Sequence, residues 1–228
     1  MSIIVICPSR GRPEKAKQAY DSFGASAGLP ATDMVFVVDK DDPTLPAYRD
    51  VVPVVSFDHE GGGMAAPMNA AVPHYWDKYG TVGFVGDDHR FRTKGWDQTF
   101  EEIMERPGIG MLYGNDLIRQ DIPTQVFIKS AIVRALGWFC LPGAKHLYLD
   151  NTWATLGRGA NCLLYCPEVI IEHEHPVVGK GTMDEGYARV NAPSMYEHDG
   201  KVFNAWVASG QAQIDVETVR RALSEAEA

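Results

Sequence analysis

Val82-Gly83-Phe84-Val85-Gly86-Asp87-Asp88-His89-Arg90 is the stretch from which the fold is read. Val82 to Val85 is an apolar run of the kind that fills a buried strand, and Gly86 lets the backbone turn directly after it. Two adjacent carboxylates, Asp87 and Asp88, then stand beyond the strand's C-terminal end. In open α/β sheets ligands gather in the crevice at those ends. Paired carboxylates at such a mouth suit a hard divalent cation that also holds phosphate oxygens.

Three more strands are expected upstream. Ile3 to Cys7 is a β-branched apolar run, the loop Pro8-Ser9-Arg10-Gly11-Arg12-Pro13 follows, and Pro13 opens a helix. A strand, a loop with two arginines and a helix N-terminus form an anion site, which makes Arg10 and Arg12 candidates; the competing reading is a solvated loop. Met34 to Val38 is the second strand and delivers Asp39, placed to meet a ribose hydroxyl or a base N–H. Asp41 and Asp42, just before Pro43, read as turn residues. Val51 to Phe57 is the third strand, and Gly61-Gly62-Gly63 after it marks a loop where backbone approaches a ligand. A helix then opens near Met64, with Pro67 in its first turn.

Downstream, Gly95 to Met104 has helical spacing of Trp96, Phe100 and Ile103 or Met104, its aromatics read as core. Gly110 to Tyr113 and Gln125 to Lys129 are further strands, and Ser130 is expected to cap a helix reaching Leu136. A helix through Leu156 follows, with Asp150 or Asn151 as its cap in the purely structural reading. Cys162 to Tyr165 and Val169 to Ile171 are two apolar runs separated by Pro167. The second leads into Glu172-His173-Glu174-His175-Pro176. Alternation at a strand end puts His173 and His175 on one face and the glutamates on the other. Imidazole with carboxylate suits Mn²⁺ or Zn²⁺ better than Ca²⁺, with either histidine as the ligand. Beyond Pro176 the chain reads as irregular, with Lys180, Tyr187 and Arg189 in a lid or a plain surface loop. Asp215 is expected to begin a last helix, a packing or homo-oligomer element.

With 228 residues, 45% apolar, the chain suits a single domain with a real core. A formal net charge of -9 argues against general affinity for nucleic-acid backbones. The four cysteines, in apolar surroundings without zinc-finger spacing, read as buried free thiols in a reducing, cytoplasmic compartment. Neither a signal peptide nor a membrane span is expected, so the protein is read as soluble.

In this order, the motifs resemble those of small GT-A glycosyltransferases that use nucleotide-sugar donors. Ile-Cys-Pro-Ser-Arg-Gly-Arg-Pro resembles that superfamily's first strand and nucleotide loop, Val37-Val38-Asp39 its second strand, and Gly86-Asp87-Asp88 its DxD motif. The compact size and the Glu-His-Glu-His-Pro run look similar to bacteriophage-encoded members. The resemblance implies an α/β, Rossmann-like αβα sandwich with a mixed, mostly parallel central sheet. It implies one catalytic domain over 1–228: a nucleotide-binding half (1–115), an acceptor and metal half (116–178), and a C-terminal lid and helix (179–228). Pro8, Ser9, Arg10, Arg12, Asp39 and Asp87 would face the nucleotide, with Mn²⁺ or Mg²⁺ on Asp88 and His173 or His175. Asp150 would be the base that deprotonates the acceptor hydroxyl. The implied activity is metal-dependent hexosyl transfer from a UDP- or GDP-linked sugar, with inversion. The acceptor is left open between a small molecule, glycan, protein or modified DNA. Two other classes compete: a metal-dependent nucleotidyltransferase and a non-catalytic nucleotide-sugar binding module.

Overall fold

The computed structural model describes residues 2–181 and 183–228. Eight strands are described: β1 (Ile3–Ser9), β2 (Thr32–Val38), β3 (Val54–Val55), β4 (Thr81–Phe84), β5 (His89–Phe91), β6 (Met111–Asn115), β7 (Val126–Lys129) and β8 (Leu163–His173). They form one sheet in the order β3-β2-β1-β4-β7-β6-β8-β5. The helices are α1 (Pro13–Ser26), α2 (Leu45–Arg49), α3 (Ala65–Ala71), α4 (Trp96–Met104), α5 (Ser130–Leu136), α6 (Leu149–Gly159), α7 (Glu185–Val190), α8 (Pro193–Ala208) and α9 (Gln211–Glu227).

Alternate residues of β1 face two different cores, as the two-residue repeat of a strand requires. Ile3, Val5 and Cys7 pack with Phe23 of α1, Tyr48 of α2 and Trp96 and Phe100 of α4. Ile4 and Ile6 pack on the other face with Met68 of α3, Ile132 of α5, Trp153 of α6 and Val219 of α9. Helices therefore cover both faces of the sheet, in an αβα sandwich. Fully burying a side chain such as Phe100 or Ile4 stabilises the fold by roughly 1.5–3 kcal/mol. All four cysteines are buried free thiols. Among the described residues no helix is long and apolar enough to cross a membrane.

The pairing pattern decides where the strand ends point. β3, β2, β1 and β4 run parallel, β7 is antiparallel to both β4 and β6, and β8 is parallel to β6. Two reversals through β7 restore the original direction, so β1, β2, β4, β6 and β8 all finish at one edge. Residues that follow them converge there: Arg10, Asp39, Asp87 and Asp88, Asp116, and His175.

Several local expectations are corrected. The third strand shrinks from 51–57 to Val54–Val55, because Pro53 has no N–H to donate and contributes only its carbonyl to Phe36 N, at 2.9 Å. The two runs around Pro167 are one strand, β8: the register with β6 jumps between Gly114 and Asn115, and the bulge absorbs the proline. Ser130 does not cap α5 but is its first residue, and its hydroxyl donates to Tyr79 O at 2.6 Å. Neither Asp150 nor Asn151 caps α6; Tyr148, at φ 60°, holds that position. The supposedly irregular region contains α7 and the 16-residue α8, where Pro193 sits harmlessly in the first turn and Gly200 lies against Tyr148. The last helix starts at Gln211, four residues before Asp215.

Candidate active site

The converging strand ends open on a cleft of about 1110 Å³, lined by all ten residues singled out from the sequence: Pro8, Ser9, Arg10, Arg12, Asp39, Asp87, Asp88, Asp150, His173 and His175. Gly61, Gly62 and Gly63 line it too, as expected of a ligand-facing loop.

The two adjacent carboxylates have different surroundings. Asp87 is buried against the first loop, where Ser9 Oγ donates to it at 2.5 Å and Arg12 Nη1 lies at 3.4 Å. Burial, then the neighbouring Asp88 charge, raises its pKa above the usual carboxylate range. Asp88 turns the other way, with Oδ2 at 3.4 Å from His173 Nε2 and Oδ1 at 3.4 Å from His89 Nδ1. Burial works to raise its pKa, but the two imidazoles outweigh that and hold it well below the usual range. Gly86 permits this fold-back, because a Cβ there would stand 2.7 Å from Asp88 Oδ1.

The donor set fits a transition-metal dication. Ligand atoms of Asp88, His89 and His173 all lie within 4.8 Å of one another. His89 pairs with His173 across β5 and β8, and their rings stack at 4.3 Å. The Gly86 amide donates to His89 Nδ1 at 3.0 Å, so the lone pair nearest Asp88 is already used. Asp88 and His173 are the pair left free to ligate. His175 stands one ring further out, edge-on to His173 at 4.8 Å. Its Nε2 bonds Tyr187 Oη at 3.0 Å and its Nδ1 accepts from Val177 N at 3.2 Å. The glutamates of the same run point elsewhere, as their alternation requires: Arg92 donates to Glu172 at 2.7 Å and to Glu174 at 3.0 Å.

The nucleotide-side residues are tied to one another. Arg10 Nη1 donates to Asp39 at 2.8 Å and to Asp41 at 2.6 Å, and His59 Nε2 meets the second Asp39 oxygen at 2.8 Å. Asp42 is the turn residue expected: it accepts from Thr44 N and Gly11 N, both at 2.8 Å. Arg12 reaches past Asp87 to Asp184, at 2.5 Å, and Asp184 in turn caps α7 through Tyr187 N at 2.7 Å. Through that contact the C-terminal region borders the cleft, where Tyr187 and Arg189 line it; Lys180 instead pairs with Glu172 at 2.6 Å. Asp116 is a loop fastener, accepting from Ile118 N at 2.7 Å, Arg119 N at 2.6 Å and Thr124 Oγ1 at 2.7 Å.

Asp150 lies in the first turn of α6, where among the described residues it accepts only from Asn151 N at 2.8 Å, and burial raises its pKa. A carboxylate in the cleft with a raised pKa and no cation bound to it is equipped to accept a proton.

Sequence reasoning overlooked His59, His89, His146, Asp184 and Asp199. Only His89 had a readable signal, its place directly after the acidic pair. The others act through contacts with residues far away in the chain.

No protein-family model matches the sequence, and no curated protein sequence is significantly similar to it. Similar solved structures include a mannosyltransferase from Pyrobaculum calidifontis in complex with GDP-Man and Mn²⁺, 14% identical, with a TM-score of 0.59 over 99% of this chain and 74% of that one. Another is glucosyl-3-phosphoglycerate synthase from Mycobacterium tuberculosis with Mn²⁺, UDP-Glc and phosphoglyceric acid, 12% identical, with a TM-score of 0.57 over 87% of this chain and 80% of that one. TarS from S. aureus is 14% identical, with a TM-score of 0.57 over 92% of this chain and 73% of that one. The fold is that of the GT-A glycosyltransferases, an α/β architecture with a mixed, mostly parallel sheet.

Proposed function

We propose, from this GT-A glycosyltransferase fold, that the chain is a metal-dependent glycosyltransferase moving a hexose from a nucleoside-diphosphate sugar to an acceptor hydroxyl with inversion. One observation carries the reading: the Asp88–His173 pair, the Arg–Asp loops after β1 and β2, and the separate carboxylate of Asp150 all line one cleft. The GDP-Man, UDP-Glc and Mn²⁺ held by the similar structures support a UDP- or GDP-linked donor and a divalent ion.

In this reading Asp88 and His173 hold the cation, with His175 behind them, and Asp87 keeps Ser9 and Arg12 in place for the nucleotide. When bound, the cation supplies Lewis-acid stabilisation of the charge that develops on the diphosphate. Arg12 adds positive potential on the same side, and Asp39 receives the ribose or base. Asp150 takes the proton from the acceptor hydroxyl, a step worth about 10²–10⁴-fold. It attacks nothing itself, so the anomeric centre inverts.

A thermal-shift screen of UDP- and GDP-sugars, each with and without Mn²⁺, tests the donor class, since a specific ligand stabilises the folded state by mass action. Turnover of the hit should vanish in Asp88→Ala with the fold intact. Binding without transfer or hydrolysis in the unaltered chain would point to a binding module, and a product of retained configuration would remove the role of Asp150.

A further inference from the structure

The segment 145–147 is gripped from two sides. Asp199 of α8, fully buried, accepts the backbone N–H groups of Lys145 at 3.0 Å, His146 at 2.8 Å and Leu147 at 2.7 Å. On the other side the carbonyl of Lys145 accepts from Ala65 N at 3.0 Å. Gly63, at φ +77°, passes so close that a Cβ there would fall 2.2 Å from that same oxygen. The nucleotide half and the C-terminal helices thus meet on three residues, and His146 is the middle one.

Its ring lines the cleft with nothing to hold. Nδ1 is buried without a hydrogen-bond partner, and among the described residues Nε2 has no protein partner either. The other cleft imidazoles differ: His59 bonds Asp39, His175 bonds Tyr187, and His89 and His173 flank Asp88. Burial pushes the His146 pKa down to about 4, against smaller opposing pulls from Asp199 and Asp88, so the ring is uncharged at neutral pH. The charges that reach it include those of Asp88, Arg12 and Arg189, all residues lining the same cleft. A diphosphate calls for cations, and an uncharged imidazole offers it little. A sugar hydroxyl, both donor and acceptor, is satisfied by either nitrogen of a neutral ring. Asp150, four residues on, lines the same cleft, where the anomeric carbon has to meet an acceptor.

We propose that His146 is a substrate-contacting residue that binds a hydroxyl of the sugar carried by the donor, and so separates a nucleotide sugar from the free nucleoside diphosphate. This rests on the donor reading above. The test is calorimetric titration, with Mn²⁺ present, of UDP, GDP, UDP-glucose and GDP-mannose into the unaltered chain, His146→Ala and His146→Gln. The free diphosphate should bind all three chains within about twofold. The matching nucleotide sugar should bind His146→Ala roughly tenfold more weakly, the scale of one lost hydrogen bond, with part recovered in His146→Gln. Equal weakening of both ligands means the residue is only structural and overturns the proposal, as does no change in either. A chain that binds none of the four overturns the donor reading and this inference with it.

Discussion

The two walls of the cleft treat charge differently. On the wall built by β1 and β2, cations already have partners: Arg10 lies between Asp39 and Asp41, Arg12 between Asp87 and Asp184, and Lys40 against Asp58. On the wall formed by residues 145–150, Lys145 and Asp150 make no ion pair among the described residues, and the His146 ring makes no hydrogen bond. Matched charges hold one another in place, giving a preset mould. Asp150 is free to take a proton, and the uncharged His146 ring to share one. The first wall is built to keep a shape, the second to act.

Removing Asp150 should therefore alter turnover, while removing a group from the shaped wall, or the sugar-contacting His146, should alter affinity. The largest effect is expected for Asp150→Asn, with kcat lower by about 10²–10⁴-fold and donor affinity unchanged; initial rates beside a binding isotherm check the split. Loss of affinity with full kcat would erase the distinction between the walls.

The next effect concerns pH. The His146 pKa falls from an ordinary 6.5 to about 4 on folding, so the unfolded chain takes up the proton first as the medium is acidified. Its contribution is therefore neutral above the ordinary value, and stability declines between the two values, in total on the order of 3 kcal/mol. Urea unfolding across that window should show the decline, and a slope unaltered in His146→Gln would assign it to other groups.

Asp39→Ala leaves Arg10 and His59 without the carboxylate they share. Nucleotide affinity should fall by roughly 10- to 100-fold, the scale of an unpaired, partly buried polar group, with kcat at saturation intact. Titration of the nucleotide diphosphate reads this directly. The smallest effect is expected for Lys40→Ala, whose partner Asp58 is exposed: nucleotide affinity should move by less than about twofold, and a larger drop would mean Lys40 touches the ligand itself.

Much of the shaped wall was legible in the sequence, because several of its residues come soon after an apolar run. Asp39, Asp87 and Asp88 come off strands whose burial is visible as Val, Ile and Phe, and Pro13 announces α1. The acting wall was less legible. Asp150 was found through resemblance to a family motif, while the local pattern suggested only a helix cap. His146 and Asp199 lie 53 residues apart in the chain, and nothing near either one marks the contact. α8 was hidden by Pro193 and Gly200, two residues that usually end helices; here one occupies the first turn and the other makes room for Tyr148. β8 was split on paper by Pro167, because a bulge shows only in the register with its neighbour.

Asp199 has a consequence for how the protein comes to be. A nascent chain that has emerged from the ribosome as far as Pro193 already contains every carboxylate and imidazole that lines the cleft. It still lacks the side chain that fastens 145–147, and the helix that carries it. The residue that completes the cleft thus follows all of its reactive groups in the chain, and a polypeptide released before Asp199 should be inert despite holding a full set of them.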